Sequence, residues 1–97
     1  MPKINTVAFD IDGTLIGYDG TPQKDIIALL KSYIKLGCTV YVWSGGGMKY
    51  VENVCRKLGI ENLVIMSPKR GIIPDITYDD QEVNLGGINI QVRPKMY

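Results

Sequence analysis

Val7–Leu15 reads Val-Ala-Phe-Asp-Ile-Asp-Gly-Thr-Leu, an apolar run that ends in two acids, a glycine and a threonine. The β-branched and aromatic residues at its start are typical of a buried strand, and Gly13 belongs to the turn that ends it. Asp10 and Asp12 then lie at the carboxyl end of this strand, which is where open α/β sheets bind their ligands. The stretch therefore predicts a buried strand that places two carboxylates at the edge of a sheet.

The remainder of the chain alternates between helix and strand patterns. Thr21 and Pro22 have the character of a helix cap and a first-turn proline. Apolar residues at helical spacing follow over 25–36 and 51–58, and short strand patterns occupy 39–43, 63–66, 75–78 and 88–92. Such alternation predicts an α/β fold, a Rossmann-like three-layer sandwich whose mostly parallel sheet has about five strands joined by right-handed crossovers.

Size and composition predict a single domain over residues 1–97. Of these 97 residues 45% are hydrophobic, and the net charge of +1 gives no basic field that would indicate nucleic acid or an anionic membrane. No apolar run approaches the ~20 residues of a membrane span, so we expect a cytoplasmic protein. Cys38 and Cys55 are then free thiols or, alternatively, a disulfide pair. The absence of histidine excludes histidine triads and histidine-bearing zinc sites.

Charged and hydroxyl side chains follow several of the predicted strands. They are Asp10 with Asp12, Ser44, Lys69, and Asp79 with Asp80. Each alone is more often an ordinary surface or loop residue. Because the carboxyl ends of parallel strands share one edge of a sheet, we expect these side chains to lie together there. The acids would hold a divalent cation, and the hydroxyl and the lysine would meet phosphoryl oxygens, so the pattern predicts a site for a dianion.

Other motifs that use acids or glycines do not match the spacing. A calcium-binding EF-hand loop beginning at Asp10 would need glycine where Leu15 stands. A Walker A loop over 45–49 would need Ser or Thr where Tyr50 stands, and its glycine spacing differs. Receiver domains of two-component signalling use similar residues in another order, with the acid pair first and the phosphorylated acid in mid-chain.

The residues in their order along the chain resemble the haloacid dehalogenase superfamily of phosphohydrolases. Phe9–Leu15 looks like the first motif of that family, Asp-x-Asp-Gly-Thr, and is the most specific match. Val40–Ser44 is similar to the second motif, Lys69 to the third, and Tyr78–Asp80 to the Asp-Asp form of the fourth. The resemblance extends from Val7 to about Asp80 and implies a Mg²⁺-dependent phosphatase acting on a phosphate monoester.

The resemblance also implies a role for each catalytic residue. Asp10 would attack phosphorus and form an aspartyl-phosphate, while Asp12 would act as general acid and then as general base. Lys69 would hold the like-charged Asp10 and phosphoryl group together.

Binding roles follow in the same way. Ser44 and the backbone amides of Gly45 and Gly46 would bind the phosphoryl oxygens at the start of the second helix. Mg²⁺ prefers oxygen ligands and keeps waters. Its implied ligands are a carboxylate oxygen of Asp10, the backbone carbonyl of Asp12, a carboxylate of Asp79 and, through a water, Asp80.

The chain departs from the family pattern in two places. Only eight residues, Ser67–Pro74, connect the third strand to the fourth, so we expect a taut loop with at most one helical turn. Only 16–21 follows the first motif, and a single helix and strand fill 44–69, so we expect a minimal type without a cap domain. An open cleft implies either a bulky phosphorylated substrate or a neighbouring subunit that covers the site. In the second case the protein would be a homo-oligomer.

Several aromatic side chains are predicted near this cleft, where they could stack on a base or sugar or pack in the core. They are Tyr18, Trp43, Tyr50 and Tyr78. The phosphohydrolase is the main functional hypothesis. The alternatives are a catalytically silent module that binds metal or phosphate, and a phosphotransfer or signalling domain.

Overall fold

The computed structural model describes residues 3–94, which contain a five-stranded sheet and two helices. Every strand pairing is parallel, and the strand order is β3-β2-β1-β4-β5. The strands are β1 (Thr6–Asp10), β2 (Thr39–Trp43), β3 (Ile65–Met66), β4 (Ile76–Asp79) and β5 (Ile88–Gln91), and the helices are α1 (Lys24–Lys35) and α2 (Met48–Leu58). The predicted α/β class, parallel sheet and edge position of the last strand are confirmed.

The two faces of the sheet are covered in different ways. Phe9 pairs with Val42, so both side chains face one side, where they share a core cluster with apolar side chains of α1 and α2. Thr77, which is fully buried, faces the other side. There the segment 81–87 passes so closely that a Cβ on Gly86 would lie 2.6 Å from the Thr77 hydroxyl oxygen. In the described part of the chain, the layer on this second face consists of connecting segments, because both helices lie on the first.

The start of α1 corrects one prediction from the sequence. Thr21 and Pro22 do not begin the helix, since Pro22 forms a bridge with Ile16 in the preceding loop. The helix begins after Gln23, whose buried side-chain amide donates to the carbonyl of Thr14 at 2.9 Å. Gln23 thereby ties the start of α1 to the turn that follows β1, a contact within the β1–α1 connection that helix-capping patterns do not indicate.

The connection between β3 and β4 is the loop expected from its length. Residues 67–74 contain turns but no helix. At its end, the Asp75 carboxylate accepts hydrogen bonds from the backbone N–H groups of Asn5 at 2.8 Å and Thr6 at 3.0 Å. Asp75 therefore fastens the beginning of β4 to the beginning of β1, which sets the register at which the two strands end.

An aromatic cluster holds the centre of the sheet against α1. The rings of Phe9 and Tyr78 stack with centroids 4.8 Å apart, and the hydroxyls of Tyr33 and Tyr78 lie 2.7 Å apart. Cys38 and Cys55 are free thiols, as the first of the two alternatives predicted. Among the helices within 3–94, neither has the length and apolar character needed to cross a membrane.

Candidate active site

Three carboxylates meet at the carboxyl edge of the sheet. Phe9 of β1 pairs with Tyr78 of β4, so the next residues along the two strands, Asp10 and Asp79, lie side by side. Asp80 follows directly, and carboxylate oxygens of all three residues lie within 4.8 Å of one another. The structure thus brings together acids that stand 69 and 70 positions apart in the sequence.

Lys69 lies between two of these acids. Its ammonium nitrogen is 3.2 Å from Oδ1 of Asp10 and 2.9 Å from Oδ2 of Asp79. The contact depends on the short loop after β3, which carries the lysine to the same edge of the sheet. With all groups ionised, three carboxylates and one ammonium leave a net charge of −2 in this cluster. Such a charge suits a divalent cation.

Burial shapes the electrostatics of the cluster. Desolvation, together with the neighbouring Asp79 charge, raises the pKa of Asp10 to about 7, although Lys69 opposes the shift. For Lys69, desolvation favours the neutral form, but its ion pairs with Asp79 and Asp10 outweigh this effect and raise the pKa of Lys69 above its usual value. Lys69 is therefore positively charged at neutral pH, beside carboxylates that repel one another.

The donor set fits a Mg²⁺ ion. Oδ2 of Asp79 is fully buried and faces the Lys69 ammonium without accepting a well-aligned hydrogen bond from residues 3–94. The other oxygen of Asp79 accepts the backbone N–H of Gln81 at 3.0 Å, which fixes the orientation of the carboxylate. Mg²⁺ binds carboxylate oxygens in preference to softer ligands. Asp10, Asp79 and Asp80 could therefore hold the ion, with water completing its coordination.

Asp80 is held by two hydrogen-bond donors that the sequence patterns did not indicate. The hydroxyl of Tyr18 donates to Oδ2 of Asp80, and the side-chain amide of Gln81 donates to the same oxygen at 3.0 Å. Burial favours the neutral form of Asp80, but these bonds outweigh it and lower its pKa. Asp80 is thus fixed as a carboxylate facing the cluster.

Gly13 allows Asp80 to approach the first motif. The φ angle of Gly13 is +78°, and a Cβ at this position would lie 2.7 Å from Cβ of Asp80. Both facts require glycine, since a side chain would be strained by the backbone and would collide with Asp80. The sequence indicated Gly13 only as a turn residue.

Asp12 lies outside the buried cluster. Its side chain is exposed, and its Oδ1 accepts a hydrogen bond of 2.6 Å from the hydroxyl of Tyr50. Burial and this bond raise the pKa of Tyr50 to about 12, so the phenol remains a donor at neutral pH. The two acids of the first motif are therefore separated, with Asp10 among the buried carboxylates and Asp12 at the rim.

Ser44 and the glycines after it lie at the same edge, because Trp43 pairs with Asp10 in the register of β2 and β1. The hydroxyl oxygen of Ser44 is buried and accepts the N–H of Gly46 at 3.0 Å. Gly45 and Gly46 are exposed, and α2 begins only at Met48, so the glycines precede the helix rather than form its first turn. Within residues 3–94, Ser44 forms no hydrogen bond with the carboxylate cluster.

The four aromatic residues near the cleft divide into two groups. Trp43 and Tyr78 are buried, so they pack in the core and are not free to stack on a ligand. Tyr18 and Tyr50 instead direct their hydroxyls to Asp80 and Asp12. These contacts span 62 and 38 residues, which is why local sequence patterns carried no signal for them.

Comparison with known proteins agrees with this geometry. The family profile described as haloacid dehalogenase-like hydrolase matches residues 7–71, about two thirds of the chain. The matched region contains the first, second and third motifs, and Asp79 and Asp80 follow it. Neither the curated proteins nor the solved structures yielded a match. The family match, the parallel sheet and the acids at its carboxyl edge show that the chain belongs to the haloacid dehalogenase-like hydrolases.

Proposed function

We propose that the protein is a Mg²⁺-dependent phosphatase that hydrolyses a phosphate monoester through an aspartyl-phosphate intermediate. The observation that carries the proposal is the cluster of Asp10, Asp79 and Asp80, with Lys69 in contact with the first two. Three carboxylates can hold a divalent cation, and the ammonium group beside them can meet a phosphoryl group.

Asp10 is the nucleophile in this proposal. A carboxylate oxygen of Asp10 attacks phosphorus, and the bond from phosphorus to the ester oxygen breaks. Asp12 gives its proton to the departing oxygen, so the alcohol leaves in neutral form. Asp12 then removes a proton from a water molecule that attacks the same phosphorus, which releases inorganic phosphate and restores Asp10. The position of Asp12 at the exposed rim supports this role, because leaving group and water both need access to it.

The remaining residues neutralise charge and orient the phosphoryl group. The Lys69 ammonium offsets the repulsion between Asp10 and the dianion. Ser44, whose oxygen already accepts the Gly46 amide, can donate its own proton to a phosphoryl oxygen, and the Gly45 amide can add a second donor. When bound by Asp10, the Asp12 carbonyl, Asp79 and Asp80, Mg²⁺ supplies charge stabilisation to the phosphoryl oxygens.

The segments around the cleft bear on the size of the substrate. Residues 11–23 form a loop held by short bridges, and 44–64 contains only the glycine loop, α2 and a turn, so the described segments after the first and second motifs include no cap. We propose that the site accepts a phosphate group on a bulky molecule, or that a second copy of the chain covers it.

Phosphate release from p-nitrophenyl phosphate tests the proposal. The wild type should release phosphate with Mg²⁺ and lose activity when the metal is chelated, and Asp10→Asn should lower kcat by about 10³-fold or more, because it removes the nucleophile. Asp25→Asn removes an acid from the first turn of α1 and is the matched control. Activity that persists in Asp10→Asn at the level of this control would refute the aspartyl-phosphate route.

The alternatives predict different results in the same assay. A silent binding module would bind Mg²⁺ and inorganic phosphate in calorimetry while releasing no phosphate from any ester. A phosphotransfer domain would accumulate a long-lived phosphorylated Asp10, which acid quench and mass spectrometry would detect.

A further inference from the structure

A cavity of about 440 Å³ lies between helix α2 and the loop that follows the first motif. Its volume falls in the range of ~300–1,000 Å³ that is common for small-molecule sites. Apolar side chains from both elements form most of its wall, namely Ile16, Pro22, Val54 and Leu58. Such a wall favours a ligand with an apolar body.

Tyr50 connects this cavity to the candidate active site. Its side chain lines the cavity, while its hydroxyl donates to Oδ1 of Asp12 at 2.6 Å. Asp12 is the residue proposed to protonate the departing alcohol. An ester oxygen placed beside Asp12 would therefore lie close to the side chain of Tyr50, which forms part of the cavity wall.

Lys57 supplies a positive charge farther along the cavity. It is exposed, lines the cavity, and forms no ion pair with any residue in the range 3–94. Lys57 stands seven residues after Tyr50 on α2, which separates the two by roughly 10 Å along the helix axis. A ligand that runs from Asp12 along the apolar wall can place an acidic group near this lysine.

We propose that the cavity binds the alcohol part of the substrate, and that the preferred substrates are phosphate esters of alcohols with an apolar chain or ring and an acidic group at the far end. The inference rests on the proposed phosphatase function, since Asp12 locates the leaving group. The charge of Lys57 and the apolar wall define this class, because the wall disfavours a polar alcohol and the lysine favours an anion.

Binding of non-hydrolysable phosphonates tests the cavity without depending on turnover. Calorimetry in the presence of Mg²⁺ compares methyl-, butyl- and hexylphosphonate with 6-phosphonohexanoate, using the wild type, Lys57→Gln and Lys31→Gln. Affinity should rise with chain length, by up to about fourfold for each buried methylene group. Lys57→Gln should weaken 6-phosphonohexanoate by about two- to fivefold and leave hexylphosphonate unchanged. Lys31 is an exposed lysine of α1 outside this cavity, so its variant controls for the loss of one positive charge.

Two results would overturn the inference. The first is equal affinity for all the alkylphosphonates, and the second is an equal effect of Lys57→Gln and Lys31→Gln on 6-phosphonohexanoate. Hydrolysis of the corresponding alkyl phosphates separates this outcome from failure of the proposed function. Binding that strengthens with chain length, without hydrolysis, would support the cavity as a binding site and refute the phosphatase. Hydrolysis together with equal affinity for all chain lengths would support the phosphatase and refute the cavity as a binding site.

Discussion

At the scale of single residues, the site depends on side chains that are fixed by neighbours from distant parts of the chain. Asp80 is held by Tyr18 and Gln81, and Asp12 is held by Tyr50. These donors leave the acids in defined orientations before any ligand arrives. Such preorganisation lowers the free energy needed to assemble a charged site.

Gly13→Ala should destabilise the protein and weaken Mg²⁺ binding. A residue with a side chain at a positive φ costs about 1 kcal/mol or more, and the added Cβ would also collide with Asp80. Gly37→Ala is the matched control, because Gly37 has a φ of +86° but no atom within 4 Å of its Cβ position. Urea denaturation should show a larger loss of stability for Gly13→Ala. Equal losses in the two variants would show that contact with Asp80 is unimportant.

Tyr50→Phe should slow hydrolysis most for esters with poor leaving groups. The ring and the cavity wall remain, but Asp12 loses the 2.6 Å hydrogen bond that orients it. General acid catalysis contributes about 10²–10⁴-fold, so a less well oriented Asp12 should lower kcat for alkyl phosphates by about tenfold or more. p-Nitrophenyl phosphate, whose leaving group needs little proton donation, should be less affected. An equal effect on both substrates would contradict a positioning role for Tyr50.

At the scale of elements, the relation between β1 and β4 positions the acids. Both strands end in an aspartate at the same register, and Asp75 fixes that register at the opposite end of the sheet. The short loop before β4 then brings Lys69 back to the carboxyl edge. The geometry of the site is thus a consequence of how two strands are aligned.

Acid should weaken the attachment of β4 to β1. Hydrogen bonds from the backbone N–H groups of Asn5 and Thr6 lower the pKa of Asp75 below its usual value. Because the folded-state pKa is the lower one, the carboxylate stabilises the fold fully above the unfolded value of about 3.9, and this stabilisation disappears as pH falls through the folded-state pKa. Denaturation measured between pH 7 and pH 2 should show a shallower acid dependence for Asp75→Asn than for the wild type. Glu52→Gln, on the exposed face of α2, should keep the wild-type slope, and identical slopes for all three proteins would contradict the assignment.

At the scale of the whole molecule, we expect a chain of 97 residues to have a thin margin of stability, because a small domain buries a smaller fraction of its unfolded surface than a large one. The repulsion among three clustered carboxylates opposes folding further. Ligands that neutralise the cluster should therefore stabilise the entire fold.

Mg²⁺ should raise the melting temperature. A ligand present at a hundredfold excess over its Kd adds about 2.7 kcal/mol, which corresponds to roughly 10 °C or more for a domain of this size. Asp79→Asn should abolish the shift, because it removes a carboxylate from the cluster, whereas Glu52→Gln should retain it. Calorimetric scans with and without Mg²⁺ measure both effects. A wild-type protein whose melting temperature does not respond to Mg²⁺ would refute the metal site.

Sequence alone determined the order of the elements, the parallel sheet and the acids at its edge. These features follow from local patterns. The spacing of apolar residues that marks a strand or a helix, and the turn at Gly13, each depend on residues that are close together in the sequence. The length of 67–74 likewise predicted a loop with at most one helical turn, because eight residues cannot form a longer helix and still cross to β4. The prediction that Thr21 and Pro22 begin helix α1 was wrong. Pro22 instead pairs with Ile16, and this pairing outweighed the local preference for a helix start.

Only the tertiary structure decided which partners each acid has. Tyr18 and Tyr50 donate hydrogen bonds to acids that lie 62 and 38 residues away in the sequence. The need for glycine at position 13 likewise arises from Asp80, which lies far along the chain. The resemblance implied that Lys69 meets Asp10, but its simultaneous contact with Asp79 requires β1 and β4 to be neighbours in the sheet. Contacts of this kind depend on strand order and register, which are properties of the folded chain, and no local pattern encodes them. In Val7–Leu15 the sequence determined that two acids end a strand, and the fold decided that one is buried among carboxylates while the other lies at the rim.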